Sequence, residues 1–177
     1  VDAAVLRVDL HDATGVVVLA REEAPHLELV ERVAKKRPAQ FVLLGGPEER
    51  ERHKRLTSRS SVPLIDAGCD NPVRHFASLV AVCSLVITGD TLAMLILGVK
   101  PTEIVLFGPT SAAEIELYGL GEKVVPHMEC LSCYKAKCDF VPNCMELITT
   151  DMVEAAVERQ WAMIPLVVER AEVGKAV

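Results

Sequence analysis

Short β-branched runs alternate along this chain with stretches whose apolar residues recur every three or four positions. That order predicts a parallel sheet with crossover helices. Gly15-Val16-Val17-Val18-Leu19-Ala20 reads as the first strand. Pro25 stands where a helix can begin, because the first turn has no use for the N–H that proline lacks. Leu27, Val30, Val33 and Ala34 follow at helical spacing, with Glu28, Glu31, Arg32 and Lys35 between them, and Pro38 ends the helix. Phe41-Val42-Leu43-Leu44 predicts a second strand running into Gly45-Gly46-Pro47, then a polar helix from about Glu48 to Arg59. Val62 to Asp66 reads as a third strand, which Pro63 places at a sheet edge or a strand start. Asn71 is expected to cap a helix with Pro72 in its first turn and Phe76, Leu79, Val80 and Cys83 on its apolar face.

Leu85 to Thr88 predicts a fourth strand, ending at Gly89-Asp90-Thr91, with a short apolar helix over Leu92 to Leu97. Glu103 to Phe107 is the fifth strand and ends at Gly108-Pro109-Thr110-Ser111, and Lys123-Val124-Val125 is a candidate sixth. Thr149-Thr150-Asp151 opens a last helix, about 150–170, with Asp151 and Glu154 spaced as a capping box. Val153, Val157, Trp161 and Ile164 form its apolar face, with Trp161 expected in the core, and Pro165 bends or ends it. Residues 1–14 read as a linker remnant or N-terminal extension, and 15–177 as one domain with a cysteine-rich loop at 127–145.

The composition narrows the partners. The net charge is −6 and no long Lys/Arg block occurs, which argues against a nucleic-acid groove. The longest apolar run, Leu79 to Ile87, is interrupted by Ser84 and too short to cross a bilayer. No basic-then-apolar leader opens the chain, so a cytoplasmic location is expected, at most peripheral at the inner membrane face. The absence of an initial Met suggests a fragment or processed form.

Ligands of open parallel sheets bind beyond the carboxyl ends of the strands. Three such ends carry Gly-rich or polar turns: Gly45-Gly46-Pro47-Glu48, Gly89-Asp90-Thr91 and Gly108-Pro109-Thr110-Ser111. Glycine lets a backbone approach a ligand closely, and a following helix start offers N–H groups to a diphosphate. Asp90 could accept hydrogen bonds from sugar hydroxyls, while Thr91 could bind phosphate oxygens. Each turn taken singly is also an ordinary βα connection, Asp90 an ordinary helix cap and Glu48 an ordinary first-turn acid.

In sequence order these segments resemble the C-terminal domain of glycosyltransferase family 9, the ADP-heptose–lipopolysaccharide heptosyltransferases and their relatives. The similarity rests on Val42-Leu43-Leu44-Gly45-Gly46-Pro47-Glu48-Glu49-Arg50, Val86-Ile87-Thr88-Gly89-Asp90-Thr91-Leu92-Ala93-Met94-Leu95 and Val105-Leu106-Phe107-Gly108-Pro109-Thr110-Ser111. It implies a Rossmann-like α/β domain with flanking helices, the nucleotide-sugar-binding half of a two-domain GT-B architecture. It further implies inverting transfer of a heptose-like sugar from an ADP-heptose-like donor to a lipopolysaccharide or other glycan or lipid-linked acceptor. A separate N-terminal acceptor domain would supply the base, and no metal would be required. Carried over by position, the donor-binding residues are Arg21, Gly46, Glu48, Asn71, Gly89, Asp90, Thr91, Met94 and Gly108. Glu48 would lie near the ribose and Asn71 near the nucleoside. The chain departs from the family's Asp-Thr-Gly-x-x-His pattern, with Leu92 for the glycine and Leu95 for the histidine, and two glutamates follow Arg21.

Cys130, Cys133, Cys138 and Cys144 fall within fifteen residues, a set that could hold structural Zn²⁺. Free or disulfide-bonded thiols are the alternative, and an iron–sulfur centre a third. His127 could replace one ligand, whereas His11, His26, His53 and His75 show no catalytic spacing. A non-catalytic nucleotide-sugar-binding or interaction domain, and a metal-stabilised structural module, remain competing readings.

Overall fold

A computed structural model of the chain describes residues 14–18, 23–90 and 102–164. Six strands form one sheet: β1 (Thr14–Val18), β2 (Ala39–Leu43), β3 (Leu64–Asp66), β4 (Leu85–Gly89), β5 (Glu103–Leu106) and β6 (Gly121–Val124). Among the described residues four α-helices accompany them: α1 (Glu23–Lys36), α2 (Arg50–Arg59), α3 (Val73–Val82) and α4 (Thr150–Trp161). The strand order is β3-β2-β1-β4-β5-β6, and every pairing is parallel. The predicted α/β class with a parallel sheet and flanking helices is the observed one. Pro63 stands immediately before β3, at the sheet edge, where its missing donor costs the ladder nothing.

Alternate residues along each strand face opposite layers, so both faces need apolar cover. On one side Phe41, Leu85, Ile87 and Ile104 pack with Leu29, Val30 and Val33 of α1 and Val153, Ala156 and Val157 of α4. On the other, Val42, Leu44 and Val86 pack with Leu79, Val80 and Cys83 around α3. Val105 and Phe107 continue the second face against Ala112, Ile115 and Leu117. Gly121 lies so close to β5 that a Cβ there would stand 2.5 Å from the Glu103 carbonyl, which explains a glycine at the start of β6.

The α1 and α4 helices are also joined by charge. Arg32 reaches Asp151 at 2.5 Å and Glu154 at 2.9 Å, Lys36 reaches Glu154 at 2.7 Å, and Arg37 reaches Glu158 at 2.5 Å. These cations hold the Glu154 carboxylate below its usual range, Lys36 first and Arg32 next. That network corrects the predicted capping box. Thr149, not Asp151, caps α4, its side chain accepting from the Met152 N–H, while Asp151 and Glu154 turn toward α1. Asn71 likewise does not cap α3. Its Nδ2 donates to the carbonyls of Ala67 and Gly68, both at 3.0 Å, and Pro72 takes the cap position. Trp161 is partly buried rather than enclosed, with the Arg37 guanidinium 5.2 Å from its ring centroid, a cation–π distance. The predicted helix over Leu92 to Leu97 and the portion of the last helix beyond residue 164 lie outside the described residues.

Candidate functional site

Because all six strands are parallel, their carboxyl ends share one rim. The chain builds outward from β1 to β2 and β3, then returns to lay β4, β5 and β6 on the other side. The order reverses between β1 and β4, and such a switch point is where open α/β sheets bind ligands. Gly46 follows β2, Gly89 ends β4 with Asp90 just beyond, and Gly108 follows β5. All three segments therefore lie on the same rim. Gly46 and Gly108 stand three strand spacings apart, roughly 14 Å, the footprint of an elongated ligand rather than a compact one.

A cavity of about 160 Å³ opens beside the switch point. Its walls are Pro25, His26 and Leu29 from α1, Ile87 and Gly89 from β4, Leu106 from β5, and Met145, Glu146, Ile148, Thr150 and Val153 from the approach to α4 and its first turns. Most of that wall is apolar. Gly89, His26, Glu146 and Thr150 supply the polar positions, and Asp90 is exposed at the adjoining strand end.

Met145 is placed by a local device. Asn143 Oδ1 accepts from the N–H groups of Met145 at 2.9 Å and Glu146 at 3.1 Å, while the Asn143 N–H donates to Glu146 Oε2 at 2.7 Å. This reciprocal cap starts the turn that turns Met145 toward the sheet. A Cβ on Gly108 would meet Met145 Sδ at 2.6 Å and Cys144 Sγ at 2.8 Å. Met145 and Cys144 thus occupy the space that a side chain at Gly108 would need. The cysteine-rich loop docks on the same turn, the Ser132 N–H donating to the Gly108 carbonyl at 3.3 Å and the Tyr134 N–H to that of Pro109 at 2.7 Å.

Gly46 also differs from expectation. Its N–H donates to Glu49 Oε2 at 3.1 Å, and a Cβ there would stand 2.7 Å from Glu48 Oε2. Two carboxylates surround this amide, so it is not offered to a diphosphate. They suit hydroxyl donors instead. Glu48 is exposed above the turn and Asn71 is held by its two backbone bonds near the end of β3. Arg21, Thr91 and Met94, with Leu92 and Leu95, lie outside the described residues.

All four clustered cysteines are free thiols, Cys144 buried, Cys138 exposed, and Cys130 and Cys133 between. Burial first, then the neighbouring Cys138 and Cys133, pushes the Cys144 thiol above its ordinary value. No three of these sulfurs lie within 4.8 Å of one another, and His127 is exposed. Among the described residues the one metal-competent grouping is instead His53, Asp66 and Cys69. The sequence reading missed it, because the three come from α2, the end of β3 and the loop after it.

The fold defines the class: an α/β domain with an all-parallel sheet and flanking helices. The particular likeness is to the crystal structure of the glycosyl transferase family 9 from Veillonella parvula, at a TM-score of 0.69 and 15% sequence identity. The match covers 86% of this chain and 47% of that one, so this chain spans about half that protein's length. No family model and no curated protein matches the sequence. No helix among the described residues is long and apolar enough to cross a membrane.

Proposed function

We propose that this chain is the donor-binding domain of an inverting glycosyltransferase, taking a nucleotide-diphosphate sugar at its strand rim. The observation that carries the reading is the position of Gly89 and Asp90. Gly89 ends β4 beside the switch point and lines the cavity, and Asp90 is exposed just beyond it, on a fold shared with part of a family 9 structure. Asp90 accepts hydrogen bonds from the donor sugar, and Thr91 and the backbone around Gly89 meet the diphosphate. Glu48 and Asn71, at the β2 and β3 end of the rim, serve the ribose and nucleoside. Arg21, Met94 and Gly108 complete the donor surface.

The size of the cavity supports a role for a second domain. At about 160 Å³ the cavity is smaller than the roughly 300 Å³ at which ligand pockets begin. It holds one end of the donor and leaves the rest on an open rim. In this reading an N-terminal acceptor domain closes over that rim and brings a carboxylate that deprotonates the acceptor hydroxyl. Strand-tip amides stabilise the departing diphosphate, and no metal is needed for that step. An ADP-heptose-like donor and a glycan or lipid-linked acceptor such as lipopolysaccharide follow from the sequence resemblance. Leu92 and Leu95 favour a second reading, in which the domain binds the nucleotide sugar without transferring it.

The test is reconstitution with a family 9 acceptor domain and each of ADP-, UDP- and GDP-linked sugars. Transfer to a glycan acceptor supports the enzyme reading, binding without transfer the second, and absence of both overturns the proposal.

A further inference from the structure

His53 is buried in α2, an environment that a polar ring tolerates only with partners. Its Nδ1 lies 2.8 Å from Asp66 Oδ1 and 3.4 Å from Cys69 Sγ. Nitrogen, oxygen and sulfur donors from three segments thus converge on one point, all within 4.8 Å of one another. We propose that these three residues form a binding site for a zinc-class divalent cation, independent of the donor reading above.

The donor chemistry selects the ion. Sulfur and imidazole disfavour Mg²⁺ and Ca²⁺ and suit Zn²⁺ or Co²⁺. Bond lengths of about 2.0–2.3 Å at a tetrahedral angle put ligand atoms roughly 3.3–3.7 Å apart. The observed separations reach that geometry by shifts of under about 1 Å. A thiolate and a carboxylate together neutralise a dication. The surrounding charges are compatible with that balance: the Arg50 guanidinium near Cys69 is paired with Asp70, and Glu49, also near Cys69, is paired with Arg52. Asp66 is exposed, so its side of the site gives an ion entry and leaves a fourth position for water.

Proton balance is explicit. The metal displaces the Cys69 thiol proton to solvent. The imidazole proton moves from Nδ1 to Nε2, freeing the Nδ1 lone pair for the ion. About one proton is therefore released per ion bound. The bound ion would tie α2 to the β3 loop directly under Gly45, whose missing Cβ leaves room for the imidazole: a Cβ there would stand 3.0 Å from His53 Nε2.

Titration of the chelator-treated, reduced chain with Co²⁺ tests this. The expected result is a thiolate-to-cobalt band in the near ultraviolet, with about one proton released per ion. Cys69→Ser should weaken binding by more than the roughly 10–100-fold that loss of an outer partner costs. A Cys138→Ser, Cys144→Ser double variant should keep the band. Asp66→Asn, which still accepts the His53 N–H, should also weaken binding and guards against a fold defect in Cys69→Ser. Absence of the band, its persistence in Cys69→Ser, or its loss only in the double variant overturns the proposal.

Discussion

Met145 fills the space that a Cβ on Gly108 would need, its sulfur 2.6 Å from that position. The contact joins the tip of β5 to the wall of the cavity, because Met145 is part of that wall. Gly108→Ala must therefore push Met145 and Cys144 aside. Methionine is flexible, so the strain is partly relieved. Urea unfolding should show a loss of about 1–3 kcal/mol. Nucleotide-sugar binding should weaken as the displaced thioether enters the cavity.

Asn143 should prove a structural residue with an effect on the site. Its side chain accepts two N–H groups in the turn that holds Met145. Asn143→Ala should cost about 1 kcal/mol by denaturant melting, the usual scale for losing such a cap. Asn143→Asp, which keeps the acceptor, should lie close to the parent.

Glu103 sets a pH dependence. It is buried on β5, and its Oε1 has no hydrogen-bond partner among the described residues. Burial pushes its carboxyl up to about 7, from 4.5 in the unfolded chain. Between those values the folded protein holds a proton that the unfolded chain has lost. Stability from this group is therefore full below about 4.5, falls as pH rises through the window and is flat above about 7. The loss is on the order of 3 kcal/mol. Unfolding midpoints at pH 5 and pH 8 should show it, and Glu103→Gln should flatten the difference while raising stability at pH 8.

The sheet was legible in the residues because buried parallel strands need apolar side chains on both faces. Phe41 to Leu44 and Leu85 to Thr88 carry that demand openly. Strand ends were legible too, since Gly45, Gly89 and Gly108 punctuate them. What each glycine does was not. Gly108 accommodates Met145, a residue 37 positions away whose approach no local pattern announces. The Gly46 amide is taken by Glu49, whose polar run reads as a solvated face. Helix caps misled for a related reason: Asp151 and Glu154 have capping spacing, but α1 presents Arg32 and Lys36 to them, and full charges outweigh a backbone N–H. His53, Asp66 and Cys69 meet only through the crossover from α2 to β3. The one local sign of them was Asp66-x-x-Cys69 at a strand end.

The most direct check is calorimetric titration of the chain with ADP-, UDP- and GDP-linked sugars, beside an Asp90→Asn variant. The account predicts saturable binding of at least one, weakened at least about tenfold in the variant, the scale of a lost charged hydrogen bond. No binding of any of the three, or equal binding by Asp90→Asn, would contradict it.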